Sequence, residues 1–379
     1  MNPGQIIVLA TPVFLALIAL EIAWGVRRGR NTYRFADAVS SIGLGMLSQF
    51  SAVFTRLLRV GIYTAVYSQW ALVQADAFWL HPAGWLLALV FYDFCYYWLH
   101  RAGHEVALFW AAHVVHHQSE DYNLSTALRQ TSSGALFGWV FYLPMALAGV
   151  PPLVFGVVAL VDLLYQFWVH TEHVGKLGWF DRWFCSPSNH RVHHAINDAC
   201  LDRNYGGILV IWDRLFGSFH EETEPCVYGT RKPLQSWDPL WANVEVYAQL
   251  LRDSLATRSW RDKVRVWFKP PGWRPADVAQ RWPITTVDAT RGRKFDTPPV
   301  RSVQWFAGVQ FLALMAGVLA YLWFAQALSL AQSLTAFALL TAQLWMLCAV
   351  LQMRLRAWQM LGVQAAACIA LAAALRWPA

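Results

Sequence analysis

The chain has 379 residues, of which 57% are hydrophobic and only 14% charged, and its mean hydropathy is +0.33. A water-soluble domain carries nearer a quarter charged residues, so this composition excludes an ordinary soluble globular protein. The formal net charge of +7 would suit nucleic acid, but the bases flank apolar runs, where orientation in a bilayer and anionic headgroups account for them; no nucleic-acid partner is expected.

In chain order, residues 5–26 form a first apolar run of bilayer-spanning length, with one acid, Glu21, near its far end. No Lys or Arg precedes it, which disfavours a cleaved secretory signal. Arg27, Arg28, Arg30 and Arg34 follow at once, so the positive-inside rule puts them in the cytoplasm. Residues 36–73 cross back outward; this run is long for one span and contains Arg56 and Arg59. Residues 85–99 return inward and deliver His100 to the cytoplasmic interface. Residues 134–169 read as a pair of spans around Gly149-Val150-Pro151-Pro152, a helix-breaking turn, so His170 emerges on the same side.

Residues 174–301 are polar, with bases after Arg252 interleaved with Trp260, Trp267, Trp273 and Trp282, the mixture of a surface lying on headgroups. Three apolar runs follow, at 303–324, 328–351 and 358–375, with Arg354 and Arg356 on the inner side between the last two. The expectation is an all-α integral membrane protein, a multi-span helical bundle of about eight spans with a cytosolic histidine-rich di-metal cap. Its segments are 1–35, an N-terminal span and basic flank; 36–220, the histidine-box catalytic domain; 221–301, a cytosolic basic and Trp-rich interfacial segment; and 302–379, the C-terminal spans.

Ten of the twelve histidines fall in four tight groups. These are His100-Arg-Ala-Gly-His104, His113-Val-Val-His116-His117, His170-Thr-Glu-His173 and His190-Arg-Val-His193-His194. Spacings of three and four residues put imidazoles on one helix face, one turn apart. Two rings at that spacing reach one metal ion, and a third reaches a neighbouring ion. Charge and hydropathy alone place all four groups at the inner ends of spans, which a random scatter would not do. The other two, His81 and His220, read as interfacial or unpartnered residues. His81-Pro-Ala-Gly resembles a haem-ligating H-P-G-G but opens a span and lacks the first Gly.

Ten imidazoles exceed one zinc site, which takes four ligands, or three plus water. They suit two ions of higher coordination number, although imidazole accommodates Fe, Zn, Cu and Ni alike. No H-E-x-x-H occurs, because Leu108 stands where the second histidine would be. The six cysteines are scattered, without a C-x-x-C pair, and suggest neither a disulfide framework nor a thiolate site. Two acids interrupt apolar runs: Asp93 seven residues before His100, and Asp162 eight before His170. Each shares a face with its histidine, and a carboxylate in a membrane is a functional candidate by default. It either orients the ring through its outer nitrogen or pairs with Tyr, Trp or water. Glu105 and Glu172, beside ligand histidines, are further acids of this kind or merely solvated.

The order H-x-x-x-H, H-x-x-H-H, H-x-x-H-H resembles the fatty acid hydroxylase/sterol desaturase superfamily. The run His113 to Gln130 and the segment Asn204-Tyr-Gly-Gly to Ile211-Trp-Asp-Arg-Leu-Phe-Gly217 are similar to its alkylglycerol monooxygenase subgroup. The resemblance spans about residues 36–220. It implies a four-helix membrane core with a cytosolic di-iron site that oxidises a lipid with O2. The implied ligands are His100, His104, His113, His116, His117, His170, His173, His190, His193 and His194. It also implies tetrahydrobiopterin as reductant, cleavage of an ether lipid after hydroxylation beside the ether oxygen, and an essential acid at Glu105. Ornithine lipids, hopanoids, sterols and fatty acyl chains are alternative substrates.

No G-x-G-x-x-G after a strand, C-x-x-C cluster or complete cytochrome b5 motif appears, so electrons are expected from a separate protein or a small donor such as a pterin. Asp121, Asn123 and Arg129, just after the second box, line that access or cap a helix. The expected location is the cytoplasmic face of a bacterial inner membrane. The rival readings are a membrane zinc lipid hydrolase and a metal transporter; the gathering of ligands at one interface argues against the latter.

Overall fold

The computed structural model describes residues 3–284, 292–298 and 300–376; residues 285–291 and 299 of the interfacial segment lie outside the described residues, as do the first two and last three. Among the described residues regular structure is helical, apart from the isolated bridges Phe184↔Leu209 and Ala195↔Tyr228. Helix α1 (Pro3–Arg27) is followed by α2 (Phe35–Arg56), a π-helical turn at Leu57–Gly61 and α3 (Ile62–Trp70). The long run at 36–73 is therefore helical to Trp70, with a π-helical turn at Leu57–Gly61 interrupting its α-helical geometry. Next come α4 (Pro82–Glu105), the short turns α5 (Ala107–Ala111), α6 (Val114–His117) and α7 (Leu124–Ala127), then α8 (Pro152–Trp168). The remaining helices used below are α9 (Pro187–His194), α10 (Ile211–Leu215), α11 (Pro239–Ala256), α12 (Trp260–Phe268), α13 (Arg301–Phe324), α14 (Leu330–Leu351) and α15 (Ala357–Arg376).

Among the described residues four helices are long and apolar enough, by length and composition, to cross a bilayer: Gly4–Arg27, Phe35–Thr55, Arg301–Phe324 and Leu330–Leu351. The chain is thus an integral, multi-pass membrane protein, with fewer full-length apolar spans than the eight expected. Two of the four that are not matched belong to residues 134–169. Pro144, Gly149 and Pro151-Pro152 break that run into short turns up to Leu147 and the 17-residue α8. At 1.5 Å per residue α8 extends about 26 Å, short of the roughly 30 Å hydrocarbon core.

Two apolar clusters hold the bundle. One joins α2, α13 and α14 through residues such as Leu44, Phe50, Leu314 and Leu347; the other joins α3, α4 and α8 through Tyr63, Ala88 and Val154. At Gly45 a Cβ would overlap the carbonyl of Leu128, so only glycine lets α2 lie against the turn that follows the second histidine box. The single acid of the first span is no exposed anchor. Glu21 accepts hydrogen bonds from Leu124 N at 2.8 Å and from the hydroxyls of Tyr33 and Thr171, which pins the inner end of α1 beside the histidines.

Candidate metal centre

Each local fold places its histidines for a structural reason. His100 and His104 occupy the last two turns of α4, which ends where Val106 turns extended (φ −124°, ψ 122°). Ser186 caps α9 by accepting from Asn189 N, Pro187 supplies the first-turn φ, and all eight residues of the helix through His194 are buried. His170 follows the end of α8.

Nine imidazoles converge into two groups, His100, His104, His113, His117 and His193 in one, and His116, His170, His190 and His194 in the other; within each, one ligand atom per residue lies within 4.8 Å of all the rest. The H-x-x-H-H spacing splits between them. In the box at 113 the outer pair joins the group of five and His116 the group of four; in the box at 190 the outer pair joins the group of four and His193 the group of five. The groups touch, since the His117 and His194 rings stack at 4.3 Å with 22° between planes.

Hydrogen bonds fix the tautomers. Nδ1 of His100, His116, His170 and His193 lies 2.8, 2.9, 2.8 and 3.0 Å from the carbonyls of Tyr205, Arg129, Gln166 and Arg203. A carbonyl only accepts, so Nδ1 carries the proton and Nε2 presents a bare lone pair. His116 Nε2 and His170 Nε2 then face one another at 3.2 Å, lone pair to lone pair with no proton for either. Burial pushes the His116 imidazole down to about 4. Burial first, and neighbouring imidazoles second, hold His113, His117, His190 and His194 well below the usual histidine range, so protonation does not relieve the crowding at neutral pH. The buried Nε2 atoms of His104, His193 and His194 have no hydrogen-bond partner.

Neutral, convergent, unpartnered nitrogens fit metal cations. Nitrogens about 2.1 Å from a shared ion are separated by roughly 3.0 Å at a right angle and roughly 3.4 Å at the tetrahedral angle. The contacts His100–His113, His113–His117, His116–His170 and His170–His190 are 3.2, 3.1, 3.2 and 3.0 Å, two nearer the right-angled case and two midway.

The structure does not bring His173 into either group: its Nε2 is buried without a partner beside Gly25, at the end of α1. His81 caps α4 by accepting from Ala83 N, and His220 also stays outside both groups. Asp93 does not touch the outer nitrogen of His100. Its carboxylate accepts from Ile208 N (2.6 Å), Leu209 N (3.1 Å) and Trp212 Nε1 (2.8 Å), anchoring the loop whose Tyr205 carbonyl holds that ring. Asp162 accepts from the Gln166 side chain at 2.6 Å, and the Gln166 carbonyl in turn orients His170. A backbone carbonyl, already present and neutral, takes the role expected of each acid. Glu105 pairs with Arg101 at 2.9 Å across one helical turn and Glu172 with Arg30. Asn123 caps α7, and Asp121 forms ion pairs with Arg34 and Lys294, both at 2.8 Å.

Arg129, expected to line an access or cap a helix, and the Asn204–Gly217 segment, which carried the resemblance, prove to be positioning elements, a role that composition and spacing did not mark. Arg129 is fully buried and donates from Nε to Val115 O at 2.8 Å while its own carbonyl holds His116. The Asn204-Tyr-Gly-Gly to Trp-Asp segment is a knot. Asp213 accepts from Tyr205 N, Gly206 N and Ser218 Oγ, and Asn204, at φ 57°, donates to Asn189 O and His220 O. It ties the first box to the third.

An apolar cleft lies among α1, α2, α8 and α13, with His116 and His170 of the four-histidine group in its lining. Ile42, Leu128, Leu163, Phe167 and Met315 are among its walls.

Residues 85–218 match the model of the fatty acid hydroxylase family. Alkylglycerol monooxygenase from Homo sapiens is 41% identical over 268 residues, 70% of this chain and 59% of that protein. Alkylglycerol monooxygenase from Xenopus tropicalis is 37% identical over 310 residues, 81% of this chain and 68% of that protein. An ornithine lipid hydroxylase from Rhizobium tropici is 30% identical over 220 residues, 56% of this chain and 64% of that protein. This chain therefore spans between about half and two thirds of the length of the curated relatives it matches. No solved structure matches it.

Proposed function

Since the chain belongs to the fatty acid hydroxylase family, we propose that it is a membrane-bound oxygenase that hydroxylates a lipid C–H bond with O2 at two iron ions. The observation that carries the reading is the meeting of nine imidazoles, eight buried and His113 half-buried, with an apolar cleft lined by His116 and His170. Bound iron supplies two-electron activation of O2, with the balance R–H + O2 + 2 H⁺ + 2 e⁻ → R–OH + H2O. The chain's residues do the rest. His100, His104, His113, His117 and His193 hold one ion and His116, His170, His190 and His194 the other, each kept neutral by burial. The Tyr205, Arg129, Gln166 and Arg203 carbonyls fix ring orientation, which preserves the ligand tautomer. The cleft excludes water and lays a hydrocarbon chain against His116 and His170.

A zinc hydrolase is the weaker reading, because five imidazoles exceed a tetrahedral ion and two of the four nitrogen spacings approach right angles. An alkylglycerol is the favoured substrate, by likeness to the relatives bearing that name. Oxidation beside the ether oxygen puts the reacting carbon where tail meets headgroup, and the cleft offers that division, apolar in most of its lining with His116 and His170 among it. The electron donor is an external reductant, a tetrahydropterin such as tetrahydrobiopterin or a redox protein. The histidine end faces the cytoplasm, supported by Arg27, Arg28 and Arg30 directly after α1. The Trp- and Arg-bearing α12, with Trp260, Val264 and Phe268 exposed on one face, rests at the headgroups.

The test is metal analysis of protein prepared without oxygen, followed by single turnover with added reductant, ¹⁸O2 and a panel of alkylglycerol, ornithine lipid and sterol. Two irons per chain and one ¹⁸O in the product are expected. Product formation in the absence of O2 would overturn the oxygenase reading.

A further inference from the structure

The cleft has walls of unequal tightness, which tells where a bilayer lipid gets in. On the α13 side Met315, Val318 and Leu322 are buried, so that side is closed. On the α8 side Leu163 and Leu164 line the cleft and yet are 48% and 43% exposed. The opposite lip is α1, whose apolar stretch is only 6% buried within the protein. It is pinned at its inner end by Glu21 and leans on α13. Across the gap between α1 and α8, Phe14 meets Phe167, ring centroids 4.6 Å apart and planes inclined at 41°. Phe167 precedes His170 by three residues, just before the end of α8, and its carbonyl accepts from His170 N at 3.4 Å, so this contact lies beside the metal ligands.

We propose that a lipid chain enters the cleft sideways from the bilayer through the seam between α1 and α8, with Phe14 and Phe167 as its door. The occupant is hydrocarbon, because both lips are apolar faces of helices already immersed in lipid and no polar barrier intervenes between Leu163, Leu164 and Phe14. Opening needs rotation of two aromatic side chains and no displacement of the packed α2–α13–α14 core. The inference rests on reading the cleft as a lipid site, but not on any oxidation occurring there.

The experiment uses the full chain carrying Phe14→Cys and Phe167→Cys in vesicles containing an alkylglycerol with a diazirine in its chain. Labelled peptides are located by mass spectrometry before treatment, after closure with a short bis-methanethiosulfonate cross-linker, and after reduction. Label on the buried cleft-lining residues Met46 and Met315 that disappears on closure and returns on reduction is expected, while label on the lipid-facing surfaces of α1 and α8 persists; the two single variants, treated identically, retain the cleft label. Unchanged labelling of the cleft after closure overturns the portal. In a second comparison Thr11→Trp, inside the cleft, suppresses labelling while Leu20→Trp, on the 65%-exposed outer face, does not. Equal behaviour of that pair also overturns it. Because labelling requires neither iron nor O2, a protein that loads lipid through the seam but never oxidises it would sink the oxygenase reading and leave the portal standing.

Discussion

Asp93→Asn separates the two metal groups. The native carboxylate is 1% exposed and accepts from two backbone N–H groups and the Trp212 indole. An asparagine keeps one acceptor oxygen and turns an N–H2 towards the donors it no longer serves. Hydrogen bonds to a charged group contribute about 1.5–3 kcal/mol each, so losing two costs on the order of 3–6 kcal/mol. Less crowding against Asp162, which approaches the same glycine, Gly207, offsets part of this. The loosened 206–212 loop then frees the Tyr205 carbonyl that holds His100. Loss of a ligand's outer partner costs ten- to a hundred-fold in metal affinity; acting at one remove, the change is expected near the low end, about tenfold or 1.4 kcal/mol at the five-histidine group. Competition between the apoprotein and a chelator, read from Co²⁺ ligand-field bands, resolves the sites. One site should weaken about tenfold while the other stays within about twofold. Equal weakening of both, or none in a folded variant, refutes the chain from Asp93 through Tyr205 to His100.

His116→Ala is expected to lose the ion of the four-histidine group, whereas His173→Ala and His220→Ala retain both ions; equal loss in all three by metal analysis would mean the groups are wrongly drawn. Gly207→Ala sets a methyl 2.8 Å from Asp162 Oδ1, 2.9 Å from Asp93 Oδ1 and 2.9 Å from a Tyr96 ring carbon; overpacking of this kind costs about 1–3 kcal/mol, so the thermal midpoint in detergent should fall. Burial raises the Glu222 carboxyl, but hydrogen bonds from Arg191 and Ser188 outweigh it and hold the group below its ordinary value. Its stabilisation is therefore present above about pH 4.3, the unfolded value, and is lost as pH falls through the depressed folded value. Glu222→Gln should lower the midpoint at pH 7 and flatten its fall below about pH 4.3; an unchanged acid limb would refute the pairing.

The metal centre was legible because its chemistry is periodic. Imidazoles at three- and four-residue spacing announce a shared face whatever the surrounding fold, and nine of the ten so spaced do converge. His173 has the same spacing from His170, but α8 ends at Trp168, so no continuing helix holds the two on one face. The acids were misdirected by the same arithmetic. Asp93 does sit two turns before His100, yet the nearest donors to its carboxylate come from a loop more than a hundred residues on. Spacing within a helix carries no word of such a partner. The ring-holding carbonyls are backbone atoms, which every residue has, and composition cannot mark them. Spans were overcounted where apolar composition was real but Pro144, Gly149 and Pro151 cut its helical length.

The division of labour in the fold follows from which residues line what. All nine converging histidines lie within the family-matched residues 85–218, whereas twelve of the twenty-one residues around the cleft lie outside them, on α1, α2 and α13. Ligand geometry tolerates little change, because four of the rings are fixed by backbone carbonyls and each H-x-x-H-H box serves both groups. An apolar wall tolerates exchange of one hydrophobic side chain for another at small cost when volume is kept. Such exchanges reshape the cleft and leave the imidazoles unmoved. Met46 on α2 and Met315 on α13 both line it, and methionine is the apolar side chain that adapts most readily to irregular space. Changes there should therefore alter which lipid is oxidised before they alter whether the metals bind. One metal chemistry can then serve lipids as different as an ether-linked glycerol and an acylated amino acid, with the choice made by helices that never touch the ions.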